Sequence, residues 1–386
     1  VDRLEPHRRK VIEAIKPLES EPITLSRAGG RVLSRAATAR RAAPPFTCSA
    51  MDGYAVRHAE VTGPTELALR QVLYAGDSPG PAIGPGEAAR IFTGAPLPLG
   101  ADAVVREESA ELRGDRVFLR RQARRGENVR LAGEDVPQGG EALPAGVRLG
   151  PRQLALLEAV GCRDLEVHRR PRVALLSTGD EVVRGRTPDS NGAALEGLLQ
   201  EAFVDVWRGA VADDAAQVRA TLAEAASRAD AIVTIGGVSI GEKDLVAGAL
   251  AALGAEVRVH GVPMKPGKPF LFALLGATPV FGLPGSPSAC LVAYEVFARP
   301  AILRLAGAAR LTRPVAWLPL AEECQGRPGR TRFLWGGLEP DGRVRPVGRD
   351  AAQVRGPALA QVLLRIGEGA GDVAEGERVE TWFLGE

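Results

Sequence analysis

The residues best placed to do chemistry lie between Asp230 and Pro269, where two glycines, a serine, an aspartate and two proline-bracketed lysines follow one another. Gly236 and Gly237 end an apolar run, Ala231, Ile232, Val233 and Ile235, that reads as a buried strand. Neither glycine carries a Cβ, so backbone can approach a ligand closely there. Ser239, Gly241 and Asp244 come next, and helical spacing begins at Leu245. A strand, a glycine turn and a helix start together predict an anion cradle, because free N–H groups and the helix dipole face the same way. Lys265 and Lys268 each precede a proline, which pushes both towards extended backbone, with Gly267 making the bend. Their ammonium groups are then presented from a stiff turn. Lysine is otherwise scarce: of 49 basic residues only Lys10, Lys16, Lys243, Lys265 and Lys268 are lysine. A surface turn with incidental lysines is the competing reading, and oxyanion or phosphate binding explains the concentration better.

These residues need a frame, and the sequence from Pro171 supplies one. RVALLSTGDE (172–181), VDVWRGAV (204–211) and DAIVTIGG (230–237) read as strands, and NGAALEGLLQEAF (191–203) and DDAAQVRATLAEAASR (213–228) as the helices between them. DLVAGALAALG (244–254) is a further helix, and residues 278–302 read as strand, turn and helix. The alternation predicts an α/β layer with a largely parallel sheet. Ligands sit at the C-terminal strand ends of such sheets, which is where STGDE, TIGGVSIGEKD and GLPGSP fall.

Upstream the rhythm differs. Leu4, Val11, Ile12, Ile15 and Leu18 predict an amphipathic helix over 3–17, ending before a Pro-rich break at 43–46. Residues 46–132 are short strands punctuated by glycine and proline, and 150–161 return to a helix. Beyond Leu311, strands separated by proline and glycine suggest a small β domain. A chain of 386 residues is expected to divide into two to four domains.

Composition narrows the classes. A chain with 45% hydrophobic and 25% charged residues is that of a folded globular protein, and a net charge of +2 gives no general reason to bind nucleic acid or membrane. Arg120, Arg121, Arg124, Arg125 and Arg130 cluster, but among acids, as on a solvated face. Cys48, Cys162, Cys290 and Cys324 lie far apart, which argues against a disulfide framework or a zinc knuckle and fits a reducing compartment. The first fifteen residues are charged, and no apolar run approaches the roughly 20 residues that span a bilayer. A soluble, cytoplasmic protein is expected.

Further short patterns carry Asp52 in CSAMDGYAV (48–56), Thr93 in RIFTGAPLP (90–98) and Asp135 in RRGENVRLAGED (124–135). Each alone is ordinary turn chemistry. Taken in order, SAMDGYAV, FTGAP, GENVR with GED, STGDE, GGVS and KPGKP resemble the molybdopterin molybdotransferase family, the MoeA and gephyrin E-domain type, over nearly the whole chain and more weakly after about residue 310.

The resemblance implies a homodimer of elongated, multidomain subunits. A molybdopterin-binding α/β domain is expected at 168–308, a β-rich domain at 44–132 inserted into an elongated domain of 1–43 and 133–167, and a C-terminal β-barrel at 309–386. It implies insertion of molybdate into adenylylated molybdopterin with release of AMP, assisted by Mg²⁺. Asp52, Thr93, Asp135, Glu181, Asp213, Asp244, Lys265 and Lys268 are the functional positions it points to. Gly236, Gly237, Ser239, Gly241, Lys265, Lys268, Pro269, Ser286 and Arg330 would contact the pterin nucleotide or oxyanion, with Arg332 an alternative to Arg330. Asp52, Thr93 and Asp135 would face the other subunit's α/β domain. Protein partners implied are a molybdopterin adenylyltransferase and molybdoenzyme maturation proteins.

The residues suit that chemistry. A phosphate ester and a tetrahedral dianion both need fixed donors, since charge-assisted bonds are roughly twice as strong as neutral ones. Glu181, Asp213 and Asp244 follow three successive strands and could hold Mg²⁺, a hard cation that prefers carboxylates. Departures from the family pattern are Gly261 where a basic residue is common, Ser286 for asparagine, Ile235 before the two glycines, and a serine-free RDAAQVRGPALAQ in the tail. Two other functions remain open: a pterin-nucleotide-binding scaffold without turnover, and an adenylyltransferase acting one step earlier. The flanking β-rich regions argue against the second, for which the α/β domain alone would suffice.

Overall fold

The computed structural model describes residues 2–238, 244–348 and 352–385. At its centre is a six-stranded sheet of β1 (Arg172–Thr178), β2 (Asp205–Val211), β3 (Ala231–Ile235), β4 (Glu256–His260), β5 (Leu271–Leu275) and β6 (Thr278–Leu283), in the order β2-β1-β3-β6-β5-β4. β2, β1, β3 and β6 run parallel, β5 pairs antiparallel with β6, and β4 pairs antiparallel with β5, so that β5 alone runs against the other five. The largely parallel sheet expected from the alternation is therefore present.

Both faces of this sheet are covered. α1 (Ser190–Glu201) and α4 (Pro287–Ala293) bring Leu195, Leu199, Cys290 and Val292 against Val173, Leu175 and Val233. α2 (Ala215–Arg228) and α3 (Leu245–Ala252) bring Val218, Leu222, Val246 and Leu250 against Ala174, Leu176 and Ile232. Burial on two sides explains why β3 is apolar except for Thr234, with every residue buried, rather than alternating. Burying each such large aliphatic side chain contributes about 1.5–3 kcal/mol. The chain leaves β1 for β2 on one side and returns to β3 on the other. A crevice therefore opens between the ends of β1 and β3.

The helix Leu4–Glu13 sends Leu4 and Val11 into the same core as α1 and α4. Ser20–Thr24 pairs antiparallel with Asp164–His168, and Ala37–Thr38 with Glu141–Leu143, around Leu33, Leu149, Leu157 and Val167. Between these pairings lies a second six-stranded sheet that runs from Ala103–Arg106 through Gly53–Val56, Glu87–Ile91, Thr65–Leu73 and Arg116–Leu119 to Ala110–Arg113. The C-terminal strands Val315–Pro319, Arg378–Phe383, Val362–Ile366, Thr331–Leu338 and Val344–Pro346 pair in that order. A bridge between Leu320 and Val344 joins the ends of the series, so the expected barrel closes.

Met264–Lys265 leaves the α/β layer and pairs in parallel with Thr331 and Arg332 of this barrel. The short helix α5 (Arg355–Leu359) packs on α4 from the same side. Phe333, Trp335 and Trp382 of the barrel share one core with Tyr294 and Phe297. Among the described residues no helix is long and apolar enough to cross a membrane.

Candidate active site at the sheet edge

The C-terminal ends of β1, β2, β3 and β6 open on one cavity of ≈ 620 Å³, walled in part by Thr178, Glu181, Asp213, Gly236, Gly237 and Gly285. The two successive glycines are required by geometry. Gly236 and Gly237 have φ of 81° and 65°, in the left-handed region. A Cβ on Gly236 would lie 2.8 Å from Thr178 Oγ1, and one on Gly237 2.9 Å from Val246 Cγ2. The Thr178 hydroxyl is itself fixed, donating to the Ile235 carbonyl at 3.1 Å. The backbone of the turn is thus held against the end of β1 with no side chain in the way.

Acids gather on the neighbouring turns. Asp180 N donates to Asp213 Oδ2 at 3.4 Å and Asp213 N to Asp180 Oδ1 at 3.2 Å, which locks the turn after β1 to the turn after β2. The other Asp180 oxygen accepts from Arg184 at 2.7 Å. Glu181 reaches the cavity with its carboxylate unbonded among the described residues. Asp244 is used differently. Its Oδ1 accepts from Ala247 N at 3.0 Å as the N-cap of α3, and Oδ2 is buried, with His260 Nε2 3.0 Å away but not aligned to donate to it.

The three-carboxylate set expected for Mg²⁺ therefore does not converge, and among the described residues no three acid, imidazole or thiol side chains do. Glu181 and Asp213 do share the cavity wall. Mg²⁺ is typically held by one or two carboxylates together with waters and substrate phosphates, so this pair fits it.

Asp189 and Asn191 also line the cavity, and the sequence reading passed over them. Asp189 caps α1 through Gly192 N at 2.9 Å and accepts from Ser177 Oγ at 2.7 Å and Arg208 Nη2 at 2.8 Å. Burial pushes its carboxyl up, but those donors more than offset the burial and hold it below the usual range. Asn191 donates to the Gly285 carbonyl at 2.7 Å and so ties α1 to the turn after β6. The available signal was the run Asp189-Ser190-Asn191 just ahead of a helix, an N-terminal capping pattern.

A second, smaller cavity of ≈ 50 Å³ lies between the α/β layer and the barrel, with Lys265, Ser288, Arg332 and Trp335 in its wall. Lys265 stands opposite Arg332 because Met264–Lys265 pairs with Thr331 and Arg332. The Trp335 indole donates to Ser288 Oγ at 2.8 Å, and Arg332 donates to the Gln325 carbonyl. A water needs about 10–15 Å³ of such space, so the cavity has room for a small tetrahedral oxyanion. Arg332, not Arg330, faces it. Gly267 makes the bend after Lys265 with φ 102°, and a Cβ there would sit 2.3 Å from Met264 Cε. Lys268 is exposed on that bend, and neither it nor Pro269 nor Ser286 is in the wall of either cavity. Ser239 and Gly241 lie outside the described residues.

Asp52, Thr93 and Asp135 belong to the inserted sheet and its flank, away from both cavity walls. Thr93 donates its N–H and its hydroxyl to Asp52 Oδ1, each at 2.7 Å, and these bonds hold the Asp52 carboxyl below its usual range. Asp135 pairs with Arg130 at 2.6 Å.

Comparison with known proteins gives a consistent assignment. Residues 3–161 match the family model described as MoeA N-terminal region (domain I and II), 174–304 match a probable molybdopterin binding domain, and 318–384 match MoeA C-terminal region (domain IV). Molybdopterin molybdenumtransferase 2 of Mycobacterium tuberculosis is 35% identical over 98% of both chains. Molybdopterin molybdenumtransferase of a Nostoc species is 36% identical over 83% of this chain and 77% of its own length. The crystal structure of a molybdopterin biosynthesis MoeA protein from Pyrococcus horikoshii matches over 100% of both chains at 31% identity, with a TM-score of 0.75.

Proposed function

This chain belongs to the MoeA family, whose curated members are named molybdopterin molybdenumtransferases, and on that premise we propose that it inserts molybdate into adenylylated molybdopterin and releases AMP. It is a transferase of molybdenum cofactor biosynthesis. The observation that carries the finer reading is the adjacency of two unlike cavities. One joins a glycine turn to Glu181 and Asp213, and the other sets Lys265 beside Arg332.

In this reading the phosphoanhydride of the substrate lies against the glycine turn at the Gly237 N–H, since the Gly236 N–H is donated to the Leu283 carbonyl at 2.9 Å. Lys265 and Arg332 hold molybdate, which as a dianion is favoured by two cations in a partly desolvated site. Two substrate thiols replace one oxygen on molybdenum, and that oxygen leaves as water with the two thiol protons. A second water cleaves the bond between the phosphate groups, so that AMP departs and molybdopterin keeps its own phosphate. Glu181 and Asp213 are the residues that would hold Mg²⁺, which when bound neutralises phosphate charge and eases departure of AMP. Asp244 fixes the start of α3, and hence the far side of the turn. Lys268, exposed beside the second cavity, would supply an additional positive charge on approach.

An adenylyltransferase would have no use for a cation pair built between the α/β layer and a barrel, so that alternative is disfavoured. Homodimerisation belongs to the same proposal, with Asp52, Thr93 and Asp135 of one subunit completing the cleft of the other. The test is direct. The purified protein, given adenylylated molybdopterin, Mg²⁺ and molybdate, is expected to release AMP and yield cofactor active in an apo-molybdoenzyme. AMP release that is indifferent to leaving out molybdate would refute coupled insertion.

A further inference from the structure

A third hollow, of ≈ 300 Å³, runs between α1, α4 and α5. α1 contributes Ala194 and Leu198, α4 contributes Leu291, and Val354 and Ala358 close it from the barrel side. Among the described residues none in its walls carries an ionisable side chain, although both neighbouring cavities have them. Its position is as informative as its lining. Ser190, Asn191 and Pro287 border both this groove and the large acidic cavity, and Pro357 borders both the groove and the Lys265–Arg332 cavity. Among the described residues the groove is therefore an uncharged arm opening on two charged chambers. Its polar side chains among the described residues, Ser190 and Asn191, are confined to one end. There the Asn191 amide nitrogen is committed to Gly285, and the side-chain oxygen carries no hydrogen bond from the described residues.

We propose that this groove binds a planar nitrogen heterocycle of the substrate while the phosphates and the oxyanion occupy the flanking chambers. Apolar walls with a few polar groups at one end suit a flat ring that has N–H donors on one edge. They do not suit a phosphate, which would be desolvated there without a partner. This rests on the transferase reading, because that substrate joins such rings to charged groups in one molecule. Adenine and pterin share the chemistry, and the experiment separates them.

Dissociation constants for adenylylated molybdopterin, molybdopterin and AMP are measured by calorimetry on the full-length wild type, Ala358→Trp and Ala358→Asp. Ala358 is exposed, so the first change fills the groove and the second charges it without disturbing the core. The expected result is binding of adenylylated molybdopterin weakened at least about tenfold in both variants, a difference of 1.4 kcal/mol. A matching loss for molybdopterin assigns the groove to the pterin, and one for AMP assigns it to adenine. Wild-type affinity of both variants for all three ligands overturns the inference and leaves the transferase reading standing. Failure of the wild type to bind adenylylated molybdopterin takes down both.

Discussion

Arg332 and Lys265 meet because two residues of the α/β segment join the edge of another domain's sheet. Each is expected to give molybdate a charge-assisted hydrogen bond, about 1.5–3 kcal/mol apiece. Lys265→Ala and Arg332→Ala should therefore each raise the KM for molybdate by about 10- to 100-fold while leaving AMP affinity unchanged. Arg330→Ala, outside the cavity wall, should stay within about threefold of wild type. Steady-state AMP release against molybdate concentration reads all three. Gly236 is a different kind of residue, needed for what it lacks. With φ at 81° and the Thr178 hydroxyl 2.8 Å from the site of a Cβ, Gly236→Ala should cost about 1–2 kcal/mol of stability. The displaced turn should also lose phosphate contacts, so thermal unfolding and AMP binding should both report the change.

The central sheet is held at its two ends by different chemistry. At the N-terminal ends Asp230, just ahead of β3, accepts from Arg169 Nη1 and Nη2 at 2.6 and 2.7 Å and from Arg172 N at 2.8 Å. Burial raises the Asp230 carboxyl, but these donors outweigh the burial and hold it far below the usual carboxylate range. A carboxyl whose folded pKa is depressed stabilises fully above its unfolded value, near 3.9, and loses that contribution as pH falls through the folded value. Asp230→Ala should cost about 1.5–3 kcal/mol at neutral pH, because it removes the charge-assisted bonds to Arg169 and Arg172 and leaves Arg169 with Glu19 alone. Asp230→Asn should flatten the acid limb of the stability curve below about pH 4. Urea unfolding at several pH values checks both, and an unchanged acid limb would remove Asp230 from the account. This clamp lies at the opposite edge from the candidate active site. The sheet can be tied there while the turns at the C-terminal edge are left to shape a ligand site.

At the scale of the molecule, the barrel and the α/β layer are not independent modules. They share a core through Phe333, Trp335, Tyr294 and Phe297, and the buried pair Arg313–Glu295, at 2.8 Å, crosses between them. The small cavity lies in that junction, so it exists only when both parts are folded together. The proposed completion of the larger cleft by a second subunit makes its own prediction. Asp52→Asn and Asp213→Asn should each be inactive as homodimers. Subunits mixed and allowed to exchange should recover about a quarter of wild-type activity, since half the dimers are mixed and each has one intact site. No recovery after verified exchange would mean that each chain builds its site alone.

The strand–helix alternation after Pro171 and the Gly236–Gly237 turn were legible in the sequence, because period, glycine placement and capping are local properties of the chain. The ordered motifs were enough to indicate the family, since each marks a turn that the fold needs at that point. Other features depended on contacts between segments far apart in sequence. Nothing local says that Lys265 joins a barrel strand, which is what selects Arg332 over Arg330. The place of Asp244 one residue before a helix allows it to cap that helix, but nothing local says that its second oxygen is buried whereas Glu181 and Asp213 stay at the cavity, since all three follow strands in the same way. Asp189 and Asn191 looked like simple capping residues until Ser177, Arg208 and Gly285 were placed around them. Side-chain direction at a strand end is set by whichever neighbour packs there. Local spacing therefore decided which turns form the site, and tertiary packing decided which side chains within them face it.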